Sequence, residues 1–311
     1  MANQSEKISG FTLVRNGVKF DYPFIESMKS LLPLVDELVV NVGYGDDDTL
    51  EQVQKFARDA GQGKVLVFES EWPLNDPEKR KSGLILSEQT NLALDRCQYD
   101  WCIYLQADEV LHEEDYPKIQ EIKKEVLRDP EAEAVVFEYR HFYGSYQVVQ
   151  KTRSAYRREI RMVKKSSGAR SVGDAQSFLG PEDTKLDALL TDARIFHYGW
   201  VRPPEAMFEK NIFMDQLYHG EQKAGESLPH SGTNYQYKRF WGLWKFNRAY
   251  PGETHPRIMR ERILKRDWNW DLSRSRFVMT LGDFKKILLD FFEVLTGHRL
   301  FEFKNYRRLK E

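Results

Sequence analysis

The sequence predicts an α/β fold: a mostly parallel, doubly wound central sheet flanked by helices, with a mainly helical extension behind it. Three observations carry this. Short apolar runs alternate with segments of helical period from Ile8 to Leu127, each apolar run stops at a polar loop, and strand signals fade beyond Trp200.

The first apolar run, Ile8 to Val14, reads as a strand ending at Arg15-Asn16-Gly17. Tyr22 to Leu34 places Phe24, Ile25, Met28, Leu31 and Leu32 at helical spacing. Leu38 to Val42 is the second strand and breaks at Gly43-Tyr44-Gly45-Asp46-Asp47-Asp48, before a helix from Thr49 to Ala60 that Asp48 is suited to cap. Val65 to Phe68 is the third strand, and a loop through Trp72, Pro73 and Pro77 leads to a helix from Leu84 to Arg96. The fourth strand starts at Trp101 and runs to Asp108. Beyond it come a helix from Tyr116 to Leu127 and strands at Ala134 to Phe142, Ile160 to Val163 and Arg194 to Tyr198. Pro203-Pro204 marks a boundary, so residues 1–200 are expected to form a catalytic domain and 201–311 an aromatic-rich, basic extension. Within the extension Thr280 is a good N-cap, and Phe284, Ile287, Leu288, Phe291, Phe292 and Leu295 share one helix face, which reads as packing. Trp241, Trp244, Phe246, Trp268 and Trp270 form a second small core or stack on sugar rings.

At 311 residues and 41% hydrophobic content the chain is long enough for a large core. No run approaches the roughly 20 apolar residues of a membrane-spanning helix, and the polar N-terminus does not resemble a signal peptide, so the expected location is the cytoplasm. Cys97 and Cys102, the only cysteines, read as reduced core thiols. Residues 235–311 hold 18 Lys/Arg against 9 Asp/Glu, while the whole chain has a net charge of −1. That basic region either packs on the acidic remainder or touches an anionic surface, such as the inner face of a membrane.

The candidate chemistry centres on Trp101-Cys102-Ile103-Tyr104-Leu105-Gln106-Ala107-Asp108-Glu109, where an apolar strand runs into adjacent carboxylates. Carboxylates at the carboxyl end of a strand in a parallel sheet meet the ligand crevice, where they can hold a divalent metal beside a substrate phosphate. Asp108 is the expected first ligand, Glu109 the second, and His197 a nitrogen ligand of the kind Mn²⁺ accepts. Arg15, Asn16, Asp46 and Asp48 lie on loops suited to a nucleotide base or ribose. Lys81 precedes the helix carrying Gln89 and Asn91, which suit a diphosphate and sugar hydroxyls.

Val14-Arg15-Asn16, the acidic loop after the second strand, Ser87-Glu88-Gln89-Thr90-Asn91, Gln106-Ala107-Asp108-Glu109 and His197-Tyr198-Gly199-Trp200 together resemble family 2 glycosyltransferases of the GT-A fold, over residues 8–200. The resemblance implies transfer of a sugar from a nucleotide diphosphate donor with inversion, using Mn²⁺ or Mg²⁺ on Asp108. Gln106 and Ala107 would lie against the donor, Gln106 standing where the family commonly has its first Asp. Inversion needs a general base on the acceptor hydroxyl. Asp174 in Gly173-Asp174-Ala175 fits that place, with Arg161 assisting by pairing with phosphate or with Asp174. The acceptor implied is a glycan or lipid-linked molecule of cell-surface polysaccharide or lipopolysaccharide synthesis. Two other readings compete. A sugar nucleotidyltransferase would need a more Gly-rich loop than Arg15-Asn16-Gly17-Val18-Lys19, and a nucleic-acid-binding module on the basic tail leaves the acidic crevice unexplained.

Overall fold

The computed structural model describes residues 7–151, 153, 155–219, 238–239, 247–249, 254–268, 276–277 and 281–309. It has the α/β class that the sequence predicts. Strand β1 (Ile8–Val14), helix α1 (Phe24–Leu31), β2 (Glu37–Gly43), α2 (Thr49–Asp59), β3 (Val65–Ser70), α3 (Leu84–Arg96) and β4 (Trp101–Tyr104) alternate regularly. Next come β5 (Glu109–Leu111), α4 (Tyr116–Val126), β6 (Ala134–Tyr143), β7 (Ser145–Gln150), β8 (Arg158–Lys164), β9 (Arg170–Val172), β10 (Ser177–Leu179), β11 (Leu186–Trp200) and α5 (Pro204–His219). Beyond α5 the described elements are β12 (Lys238–Arg239), β13 (Asn247–Ala249), α6 (Arg260–Leu264), β14 (Arg276–Phe277), α7 (Leu281–Thr296) and β15 (Tyr306–Arg308).

Strands β3, β2, β1 and β4 hydrogen-bond in that order, all parallel. Strand β8 joins β4 antiparallel, β6 joins β8 antiparallel, and β11 runs parallel to β6. Successive side chains in these strands point to opposite faces, and both faces are apolar. Val40 and Ile103 pack with Met28 of α1, Val53 of α2 and Ile119 of α4 on one side; Val39, Cys102 and Tyr104 pack with Ile85 and Leu94 of α3 on the other. Burial on both faces is what the continuous apolar runs required. Strand order reverses direction at β1, with β2 to one side and β4 to the other, so the carboxyl ends of β1 and β4 flank a crevice.

One boundary differs from expectation in a way that shapes the site. Strand β4 stops at Tyr104 rather than Asp108, because Gln106 to Glu109 form a turn: the Glu109 amide donates to the Gln106 carbonyl at 3.0 Å, and the Gln106 amide to the Glu109 carboxylate at 3.1 Å. Glu109 then begins β5, which pairs antiparallel with β11 and sets Glu109 opposite His197. At the other end, the chain beyond Trp200 returns to the sheet: β13 pairs with β7 and β15 with β11.

Helix α2 is not capped by the side chain of Asp48; Asp47 accepts from the Thr49 amide at 3.1 Å instead. Trp268 packs near Tyr146, with ring centroids 6.4 Å apart. Thr280, Trp241, Trp244, Phe246 and Trp270 lie outside the described residues. Both cysteines are free and buried. Among the described residues no helix is long and apolar enough to cross a membrane.

Candidate functional site

A cavity of about 420 Å³ opens at the crevice between β1 and β4. Arg15 reaches it from the end of β1, Gln106, Ala107 and Asp108 from the turn after β4, and His197 from β11. Asp174, Ala175 and Gln176 enter from the tip of the β9–β10 hairpin. That tip turns sharply, with Gly173 and Ala175 both at positive φ (58° and 60°), and it sits close over Gly83, where a β-carbon would come within 3.0 Å of Asp174. Helix α5 adds Lys210, Asn211 and Phe213 to the wall.

Asp108 is the electrostatic focus. It is only 6% exposed, and three groups surround its carboxylate: His197 Nε2 at 3.7 Å, Lys210 Nζ at 3.6 Å and Arg202 Nη2 at 3.7 Å. Burial alone would raise the Asp108 carboxyl, but Lys210, Arg202 and, when protonated, His197 hold it below the ordinary carboxylate range. Lys210 is pushed down to about 7, by burial first and by the Arg202 charge second. Arg202 and Lys210 also donate to the Gly199 carbonyl, at 3.0 and 2.9 Å, so both cations are fixed in place.

A relay of hydrogen bonds sets the tautomer of His197. His141 Nε2 lies 2.8 Å from the Tyr156 carbonyl, which can only accept, so that nitrogen carries a proton. Burial pushes His141 well below its ordinary range, with His197 adding to the effect, so the ring is neutral and its Nδ1 accepts. His141 Nδ1 lies 3.0 Å from His197 Nδ1, which must therefore donate. His197, itself lowered by burial against the opposing charge of Asp108, keeps an unprotonated Nε2 facing the Asp108 carboxylate. Two electron-pair donors facing each other at 3.7 Å are suited to a shared cation.

Gly199 makes this approach possible. A β-carbon there would lie 2.5 Å from His197 Nε2 and 3.0 Å from Asp108 Oδ2. Gly199→Ala is expected to turn the imidazole away from Asp108 and weaken by about 10²-fold the Mn²⁺-dependent nucleotide binding that the sequence leads us to expect, the cost of a displacement near 1 Å in a preorganised site. Titration calorimetry checks this, and unchanged affinity would show that His197 does not contribute.

Several expected site residues are placed elsewhere. Glu109 is wholly buried and does not line the cavity: Arg161 grips it twice at 2.8 Å and the Tyr139 hydroxyl donates to it at 2.7 Å. It is therefore not a second ligand beside Asp108. Arg161 is equally buried, and its remaining bonds go to the carbonyls of Ile160 and Gln176, so it reaches neither the cavity nor Asp174. Gln89 is occupied by Asn41, Ser70 and the Glu71 carbonyl, and Asn91 pins the Ser171 backbone. Asn16 clasps Asp46, which also pairs with Lys19 at 2.6 Å, and Asp48 is exposed away from the cavity. The Lys81 side chain is outside the described residues.

The structure thus brings together Arg15, Gln106, Ala107, Asp108, Asp174 and His197, and adds residues that sequence reading missed. Arg15 lies 5.9 Å from the Trp72 ring and 5.1 Å from the Phe213 ring. Trp72 and Asn211 line the cavity, and their side-chain nitrogens are buried with no hydrogen-bond partner among the described residues. Arg202 stands just past His197-Tyr198-Gly199-Trp200 and was within reach of a wider reading of that motif; Lys210, six residues into α5, carried no signal of its own.

No protein-family model matches the chain, and no curated protein matches it by sequence. Among solved structures it is similar to S. aureus TarS, with 13% identity, a TM-score of 0.39, and coverage of 72% of this chain and 44% of that one. It is similar to TarS residues 1–349 in complex with UDP, with 13% identity, a TM-score of 0.38, and coverage of 68% and 65%. It is also similar to the mannosyltransferase PcManGT from Pyrobaculum calidifontis in complex with GDP-Man and Mn²⁺, with 19% identity, a TM-score of 0.30, and coverage of 42% and 34%. In each of these three the match spans less than two thirds of the other protein's length. Likeness this loose assigns no residue a role, and the site is read from its own chemistry.

Proposed function

We propose that this chain is a GT-A-type glycosyltransferase that moves a sugar from a nucleotide diphosphate donor to an acceptor hydroxyl with inversion. The observation that carries the proposal is the cavity at the β1/β4 crevice, where Asp108 faces His197 Nε2, Lys210 and Arg202. An apolar cavity with a few convergent polar groups is the usual form of a small-molecule site. Lys210 and Arg202 suit a diphosphate, whose negative charge grows as the bond to the sugar breaks. The Arg15 guanidinium, set against Trp72 and Phe213, suits a phosphate or the face of a base.

The donor set also fits a divalent cation. Among the described residues no group of three His, Cys, Asp or Glu is placed to hold a metal ion by itself, so Asp108 and His197 would supply two ligands and substrate phosphates the rest. Mg²⁺ is commonly held in that way, by one or two protein groups plus phosphate oxygens. When bound, the ion would neutralise charge on the leaving diphosphate. Asp174 is the proposed base. Its Oδ2 accepts from the Tyr218 hydroxyl at 2.8 Å and its Oδ1 from the Gln176 amide at 3.3 Å, which orients the carboxylate at the cavity wall. A cell-surface glycan or lipid-linked acceptor and a cytoplasmic location remain parts of this proposal.

The test is a thermal-shift panel of UDP, GDP, CDP and dTDP, each with Mn²⁺ or with EDTA. One nucleotide is expected to stabilise the protein with Mn²⁺, by about 2.7 kcal/mol at a hundredfold excess over its dissociation constant, and far less with EDTA. Mn²⁺ alone is expected to shift the protein little, because two protein ligands leave most of its coordination to the nucleotide. No shift with any nucleotide would overturn the proposal.

A further inference from the structure

Helix α7 is turned inside out. Its Asp290 is buried and pairs with Arg153 at 3.1 Å, and Glu293 pairs with Arg153 and Arg157, each at 3.2 Å. Arg157 also holds Glu302 just beyond the helix at 2.9 Å, and Arg153 donates to the Leu289 and Leu300 carbonyls. These contacts fix the roll of the helix with its acidic residues inward. The apolar stripe that periodicity assigns to packing therefore faces outward: Phe284 is 58% exposed, Leu288 60%, Phe291 56% and Leu295 68%. Phe301 and Phe303, after the helix, are also exposed, at 85% and 83%. Water-facing aromatic and aliphatic side chains in one continuous face mark an interaction surface.

The rim of the patch decides what it meets. Lys285 on the helix and Lys304 beyond it are exposed, while Asp290, Glu293 and Glu302 are spent on arginines of the body. A second copy of this chain set against the patch would bring like-charged rims together. An anionic bilayer meets both features at once, with the apolar face among the acyl chains and the lysines at the headgroups. We propose that the outward face of α7, together with the exposed Phe301 and Phe303, lies in the interface of an anionic membrane. This rests on the α7 geometry alone and stands whether or not the chain transfers sugars.

The experiment is co-sedimentation of the full chain with vesicles of phosphatidylcholine alone or with about one third phosphatidylglycerol. Wild type is expected to bind the anionic vesicles, to bind neutral ones much more weakly, and to lose affinity as salt rises. Leu288→Glu/Phe291→Glu is expected to bind at least tenfold more weakly. Because both side chains are exposed, its melting temperature and circular dichroism should match wild type, which separates lost docking from lost folding. Equal binding by wild type and variant would overturn the proposal. So would a wild type that ignores both vesicles but sediments as a dimer that the double substitution dissociates, since the face would then belong to a second copy.

Discussion

Arg161→Ala is expected to destabilise the protein by about 3–5 kcal/mol, the cost of leaving one member of a buried ion pair without its partner. Arg161 and Glu109 are both 0% exposed and joined by two bonds of 2.8 Å. Although burial lowers it, Arg161 is held well above its ordinary range, chiefly by Glu109. Without the guanidinium, Glu109 would be left buried with only the Tyr139 hydroxyl and the Gln106 amide. The same pair anchors the Gln106–Glu109 turn, so the loss should also disturb Asp108. Urea denaturation gives the stability directly. An Arg161→Ala variant with wild-type stability but no activity would contradict this account and return Arg161 to a role at the substrate.

Asp108→Asn is expected to lower sugar transfer by about 10²–10³-fold, the range for removing one group that stabilises developing charge in a closed site. It should also abolish the Mn²⁺-dependent part of nucleotide binding. The amide keeps the shape of the carboxylate but removes the charge that faces His197, Lys210 and Arg202. The two cations keep their bonds to the Gly199 carbonyl, so the fold should persist. Calorimetric titration of the selected nucleotide into wild type and variant, with Mn²⁺ and with EDTA, checks both parts. Equal Mn²⁺ dependence in the variant would remove Asp108 from the metal role.

These expectations differ because two adjacent carboxylates, alike in sequence, were separated by a turn. Asp108-Glu109 reads as a pair of ligands on one strand end. In the structure the strand stops at Tyr104, the chain turns through Gln106 to Glu109, and Glu109 starts a strand that runs against β11. One carboxylate meets the cavity and the other meets Arg161. Gln89 and Asn91 show the same limit: their polarity is real, but it is spent on the Asn41–Ser70 network and on the Ser171 backbone. A polar residue on a helix can serve a ligand or the scaffold, and its type alone does not distinguish them.

The sequence by itself determined the α/β class and the order of strands and helices as far as β4. Each of those depends on local periodicity and on polar residues that follow apolar runs, and both are written in contiguous residues. That Asp108 and His197 would reach the crevice was legible for the same reason, since each lies near the end of an apolar segment. Only the tertiary structure decided which side chains face one another. It paired Glu109 with Arg161, 52 positions away, and brought Lys210 and Arg202 to Asp108 from more than 90 positions along the chain. It also rolled α7 so that its apolar face points out, because Arg153 and Arg157 capture the acidic face of the helix. Ion pairs of that kind depend on distances that sheet pairing sets across the whole chain, and no local pattern in the sequence records them.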